Sequence, residues 1–373
     1  EQYYLQSLKV RRKLFGNENT IVANDLYSLG NFYQSTGQYS KAEPLLLKCL
    51  EIYLEAFGEQ HPQSAGSFNS LGTLYLQLNE FSKAETHLLK SLSINRKLHG
   101  NEHVAVAHAL GSLGGLNQQK EDLAKAESYY QQSLEIYLKV FGEGHSSTIG
   151  SFSDLSMIYA LKGEFEISVR LQDKARQNIR RHMVRVLPGL SEATQQVFLR
   201  ERYRTGFESA LTLGWIRKTD SKTASLSAAW LLNGKSAAQE AHAESAVMST
   251  GQSAPLAQEL RQVRGQISKR TINSGGKQNT EWLTRLKQRE EELQKQLGNV
   301  GLNLQKRDPW ITVESVRNQI PKGTVLINIA RFHEFNFKTS PQKQYWKPSR
   351  YAAWIIPATG AGEIQVIDLG ESE

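Results

Sequence analysis

Through the first 178 residues, apolar side chains recur at the three-and-four spacing of an amphipathic helix, and short polar or glycine-containing breaks interrupt that rhythm. Within residues 65–77, Phe68, Leu71, Leu74 and Tyr75 fall on one stripe, so this stretch is predicted to be a helix with one buried face. Asn79-Glu80 make a turn. Phe81, Ala84, Leu88 and Ser91 then form the inner face of a second helix, with small and large side chains alternating so that ridges mesh with grooves. Gly72 removes a side chain where the second helix must come close. Gly100 ends that helix, glycine being the residue that takes a left-handed cap at least cost. After the equivalent Gly58, His61-Pro62 restarts the chain, because the N–H that proline lacks would be unpaired in a first helical turn anyway.

The pattern repeats. Gly16, Gly58, Gly100 and Gly142 are each 42 residues apart, preceded by Phe15, Phe57, His99 and Phe141. Leu29, Leu71, Leu113 and Leu155 keep the same step, as do Ala42-Glu43, Ala84-Glu85 and Ala126-Glu127, and Tyr33, Tyr75 and Tyr159 with Asn117 in the third place. A match at one period over four units marks a repeat array in which each unit is a helix pair. The units start near Asn24, Gly66, His108 and Gly150. They are preceded by an orphan second helix over residues 4–15, expected to expose Tyr4, Leu8 and Leu14. The spacing of Leu71-Gly72, Tyr75, Phe81 and Ala84 resembles the tetratricopeptide repeat. The 42-residue step with its Phe-Gly-Glu-x-His-Pro connector at 57–62 resembles the units of kinesin light chain. The fourth unit decays, with Ser156, Ser168 and Gln172 at formerly apolar or small positions, as expected where an array meets a different module.

Stacked helix pairs curve so that the first helices line an inner wall suited to an extended peptide or a partner helix. Counting from the Leu-Gly landmark, Asn24, Tyr27, Asn31, Gln34, Asn69, Thr73, Gln77, His108 and Gln118 are expected on that wall as a peptide-binding groove. Amide side chains both donate and accept, so they can bond a backbone of any sequence. For any one of them, an ordinary solvated helix position is the plainer alternative. His61, His103 and His145 occur one per connector with no second ligand beside them, which argues for helix-start caps and against a metal site. Cys49 stands where the other units have Ser91, Ser133 and Ala175, so it is read as a packing residue.

Charge separates the two halves. Residues 1–169 hold 14 Lys+Arg and 18 Asp+Glu, whereas residues 170–373 hold 31 and 19. Between residues 170 and 218 there are 11 basic residues, including Arg180-Arg181, Arg200, Arg202 and Arg204. Without the stacking aromatics and glycine-rich loops that accompany nucleic-acid binding, this stretch reads as a solvated or docking surface, and nucleic acid is not an expected partner. No apolar run reaches the roughly 18 residues of a membrane span. One cysteine allows no internal disulfide, so a reducing, cytoplasmic setting is expected.

Residues 207–246 continue as helix, with Trp215, Leu226, Trp230 and Leu231 apolar. Leu256, Leu260, Val263 and Ile267 form a coiled-coil-like stripe facing a second stripe of Leu283, Leu286, Leu293 and Leu297 across a turn at Asn273-Ser274-Gly275-Gly276. Glu290 in the seam limits that hairpin. After Pro309-Trp310 the period changes to two, predicting strands over 325–329, 351–356 and 364–369, the last two joined by a hairpin at 358–362. Residues 332–350 are expected to form a long loop.

The helix around Trp230-Leu231-Leu232-Asn233-Gly234-Lys235, the hairpin, Trp310 to Val316, then Tyr351-Ala352-Ala353-Trp354 and Val366 to Gly370 together resemble the front end of a CHAT domain. That family consists of caspase-like cysteine peptidases often found behind tetratricopeptide repeats. The expected fold is mainly α: a repeat superhelix (1–178), a helical linker with an antiparallel hairpin (179–308) and the first strands of an α/β caspase-like domain (309–373), cut short at the chain end. The resemblance implies a repeat-gated peptidase whose catalytic residues lie beyond Glu373; none is assigned here, and no metal or cofactor is expected. The rival expectation is a non-enzymatic scaffold that binds a protein or peptide through its repeats.

Overall fold

Two antiparallel helices close into each repeat because a glycine on the first lets a bulky side chain of the second seat against its backbone. A Cβ at Gly30 would lie 2.8 Å from Leu46, at Gly72 2.6 Å from Leu88, and at Gly114 2.8 Å from Tyr130. In the computed structural model of the chain, the described residues are 1–187, 204–248, 254–273, 285–286, 288–293, 296, 310–337 and 346–371. They divide into two compact units, Glu1–Val140 and Phe141–Glu373.

The first unit holds α1 (Gln2–Phe15), α2 (Thr20–Ser35), α3 (Tyr39–Phe57), α4 (Pro62–Gln77), α5 (Phe81–His99), α6 (Val104–Gln119) and nearly all of α7 (Leu123–Phe141). Its core is the predicted one: Leu29, Leu71, Leu113, Ala84 and Leu88 are all buried. Gly16, Gly58 and Gly100 end α1, α3 and α5 with φ near +78°, where any other L residue would be strained. Ring stacking pins two of these connectors, Phe57 on His61 and His99 on His103, both at 4.2 Å between centroids. The cap expectation holds at His103, whose Nδ1 accepts the Ala105 amide at 3.2 Å. It fails at His61, which occupies the cap position but whose Nδ1 is buried without a partner.

The orphan helix is less bare than expected. Leu8 is buried, Tyr4 packs on Phe32, and Arg11 and Ser7 both reach Asp25, so α2 covers part of the stripe that α1 was predicted to expose. Tyr4 and Leu14 do remain exposed.

The second unit opens with α8 (Ser146–Leu161) and α9 (Phe165–Val186), the decayed repeat, capped at its start by His145 Nδ1 on the Ser147 amide. Ser156 and Ser168 meet here through reciprocal bonds from each hydroxyl to the other's carbonyl. Gln172 donates to the Gly206 carbonyl, and Asp173 accepts the Trp230 indole N–H at 2.8 Å. Arg176 and Arg180 are buried, so the basic stretch is not the freely solvated face its composition suggested.

The predicted helix over 207–246 is two helices, α10 (Arg204–Ile216) and α11 (Ser221–Met248). The break falls at Asp220, whose carboxylate takes the Thr223 amide and hydroxyl as a helix start does. Helix α12 (Ala254–Asn273) carries the first hairpin stripe; Leu260, Val263, Ile267 and Leu293 form a buried cluster with Leu256 and Leu286 against it. Glu290 sits in the seam paired with Arg264 at 3.2 Å, both buried. Residues 274–284, with the Gly-Gly turn and Leu283, and Leu297 lie outside the described residues.

After a short helix α13 (Val313–Arg317) come β1 (Val325–Phe335), β2 (Trp346–Pro357) and β3 (Gln365–Glu371), an antiparallel meander in that order. Within the long loop expected over 332–350, residues 332–335 and 346–350 are strand. Phe332 and Phe335 are buried, Phe335 meets Trp346 edge-on at 5.0 Å, and Arg350 reaches Glu334 and Asp368, so packing extends both strands past the apolar runs. Residues 338–345 lie outside the described set. One sheet face packs Ala330, Phe332, Trp354, Ile356 and Val366 against Leu211, Ala224 and Ala228 of the helices. The other presents Val325, Ile327, Ile329 and Ile367 to solvent.

Candidate peptide-binding wall

In the first unit α2 touches α4 and α4 touches α6, whereas among the described residues α3 and α5 make no comparable approach. First helices that lie closer together than second helices occupy the inner radius of a curve, so the wall of this unit is built from α2, α4 and α6.

Hydrogen bonds run along and behind this wall. Ser70 Oγ donates to Tyr27 Oη at 3.1 Å, and Gln34 Nε2 donates to Thr73 Oγ1 at 3.0 Å, both joining α2 to α4. Tyr53 Oη on α3 donates to Asn24 Oδ1 at 2.7 Å, and Tyr130 Oη on α7 donates to Gln118 Oε1 at 3.1 Å. Asn24, Tyr27, Gln34, Thr73 and Gln118 therefore each enter a lattice of local bonds that also holds neighbouring helices together.

The remaining four candidates are left open. Asn31 and Gln77 make no side-chain hydrogen bond among the described residues, and Asn69 Oδ1 is buried with no partner. His108 packs edge-on to Tyr137 at 5.5 Å. Its ring is exposed, and crowding by neighbouring protein lowers its pKa from the usual imidazole value.

The sequence reading missed Ser70, Tyr53 and Tyr130, which complete the lattice. Tyr130 carried a signal, since it stands where Leu46 and Leu88 stand in the preceding units and so brings a hydroxyl to an apolar slot. It also missed the glycines of the wall, Gly66, Gly111 and Gly115. Cys49 is fully buried 3.6 Å from Ser67 Oγ, and burial pushes its thiol up to about 11, in keeping with a packing role. Among the described residues no group of three or more His, Cys, Asp or Glu side chains is arranged to hold a metal ion. None of the described helices is long and apolar enough to cross a membrane.

The tetratricopeptide-repeat family profile matches residues 22–97, 80–139 and 105–181. The region thus carries tetratricopeptide repeats. No curated protein sequence matches the chain. Among solved structures, BtubC (BKLC) from P. vanneervenii is similar at 18% identity over 67% of this chain and 91% of its own, with a TM-score of 0.44. The nearly identical TPR-like repeats assigned to a kinesin light chain of Podosopora anserina are similar at 18% identity over 61% of this chain and 94% of theirs, TM-score 0.39. The apo form of RapI is similar at 14% identity over 74% of this chain and 84% of its own, TM-score 0.38.

Proposed function

We propose that the first unit is a binding module that holds an extended protein segment against α2, α4 and α6, and that the chain serves as a non-enzymatic scaffold in a reducing, cytoplasmic setting. The observation that carries this reading is the pair of unbonded amides at Asn31 and Gln77 on a wall where Asn24, Tyr27, Gln34, Thr73 and Gln118 are hydrogen-bonded. The test replaces Asn31 and Asn69 together by Ala and measures peptide binding beside the melting temperature. Binding should weaken at least tenfold. Stability should shift by no more than about 0.5 kcal/mol, because neither side chain bonds within the fold. Unchanged binding would move the site off this wall.

A repeat-gated caspase-like peptidase is the second reading, supported by the order in which the Trp230 helix, the paired helices and the Trp354 strand follow the repeats, as the CHAT resemblance requires. Such chemistry needs a thiolate beside a histidine. Cys49 is a fully buried thiol that burial pushes up to about 11, so the thiolate of such an activity would come from a residue other than Cys49. The chain is expected to turn over no peptide. Turnover that survives Cys49→Ala but is lost in His333→Ala would place a catalytic site within this chain.

A further inference from the structure

The first and second helices of the repeats differ in charge far more than in hydrophobicity. Across α2, α4 and α6, 48 residues in all, the only Asp, Glu, Lys or Arg is Asp25, which is buried and paired with Arg11 at 2.7 Å. The second helices α3, α5 and α7 carry 14 such residues in 57. A wall that merely faced water would be expected to carry Lys and Glu, as those second helices do. Its freedom from charge points to an occupant without charge, because an acidic or basic segment would leave its own charges unpaired against it.

The glycines of the wall point the same way. Gly30, Gly72 and Gly114 are demanded by packing, whereas a Cβ at Gly66, Gly111 or Gly115 would find its nearest neighbour at 3.8, 3.6 and 3.5 Å, an ordinary contact. Glycine in a helix interior is unfavourable, and nothing in the packing of these three sites requires it. What they do provide is bare backbone on the wall helices, which suits the close approach of another main chain. A partner helix would arrive with its main-chain groups already bonded and leave Asn31 and Gln77 unsatisfied; an extended segment brings free N–H and C=O groups.

We infer that the wall of the first unit selects an extended, uncharged peptide segment, with small residues over Gly111–Gly115, and that it does so almost independently of ionic strength. This rests on the binding module proposed above and specifies its ligand. The test uses the full chain and three sets of synthetic nine-residue peptides, neutral (Gly, Ala, Ser, Thr, Asn, Leu), acidic and basic, read by fluorescence anisotropy at low and high NaCl. The neutral set should contain the tightest binders, with Kd changing less than twofold between 50 and about 500 mM salt, a range over which exposed charge pairs are strongly screened. Gly111→Leu should weaken them at least tenfold. Gly111→Ala should leave the melting temperature unchanged or higher, which separates a blocked wall from a damaged fold. Tightest binding by a charged set, with a steep salt dependence but still lost in the Asn31/Asn69 double variant, would overturn the neutrality inference and keep the module. Binding unaffected by that double variant, or absent from all three sets at 100 µM, would overturn both.

Discussion

The two units begin from the same helix-pair rule and stabilise it differently. In the first, structural bonds link neighbours in the chain: Ser91 Oγ donates to the Ala65 carbonyl and Ser133 Oγ to the Ala107 carbonyl, each spanning 26 residues. In the second, bonds reach far along the sequence: Trp354 Nε1 donates to Ser227 Oγ over 127 residues, the Phe335 amide to Thr212 over 123, and Asn233 both gives and takes a bond with Ile311 over 78. Near-neighbour support lets one unit be read, and changed, almost independently of the next. Long-range support makes the second unit depend on several distant segments at once.

The largest expected effect comes from breaking that long-range core. Trp354→Ala removes a fully buried indole that packs against Phe332 and anchors Ser227, and should cost about 3–5 kcal/mol. Calorimetry should show the second unit melting earlier while the repeat transition stays in place. An equal fall in both would mean that the units are not thermodynamically separate.

Next in size is a pair of identical substitutions with opposite signs. Gly72→Ala pushes a Cβ to 2.6 Å from Leu88 and should destabilise the first unit by about 1–3 kcal/mol. Gly111→Ala meets nothing closer than 3.6 Å and should stabilise the same unit by up to about 1 kcal/mol. Chemical denaturation of both variants checks the distinction between packing glycines and wall glycines.

Much of the first unit was legible because its reasons are local. A helix stripe, a glycine where a leucine must seat and a glycine with positive φ are each decided within one repeat, and the 42-residue period states them again. The wall was legible as a set of positions, but not as a lattice. Whether Asn24 is free or held by Tyr53 depends on a neighbouring helix that periodicity does not orient. In the second unit the apolar runs marked the centres of the strands. Their ends were missed because Glu334, Ser349 and Arg350 are buried by ion pairs and side-chain bonds that no period-two pattern announces. Arg176 and Arg180 looked like surface for the same reason: burial there comes from packing that their own segment does not encode.

A smaller effect tests whether the repeat rule crosses from one unit to the other. His103 and His145 cap α6 and α8 in the same way, so replacing either by Ala should cost about 1 kcal/mol, and Asn should restore most of it. His61→Ala, which removes no cap bond, should cost less. Thermal melts of the three variants decide this.

The smallest expected effect is a pH dependence confined to the second unit. Asp154 lies on α8 with its side chain exposed, so water screens most of the desolvation that crowding imposes and its carboxyl is raised only in part above 3.8. Between the unfolded and folded values the folded chain holds a proton that the unfolded chain has released, so stability falls slightly as pH rises through that window and is level above it. Asp154→Asn should therefore raise the melting temperature at pH 8 and change it little at pH 4. An equal shift at both would assign the effect to something other than this titration.

Hydrogen exchange with and without the tightest neutral peptide, followed over the whole chain, tests most directly whether the uncharged wall is the working surface. Bound peptide should slow exchange in α2, α4 and α6, most strongly around Asn31, Asn69 and Gly111, and leave α3, α5 and the strands β1–β3 unchanged. Slowing confined to the charged second helices, or to the apolar outer face of the sheet at Ile327, Ile329 and Ile367, would contradict the account.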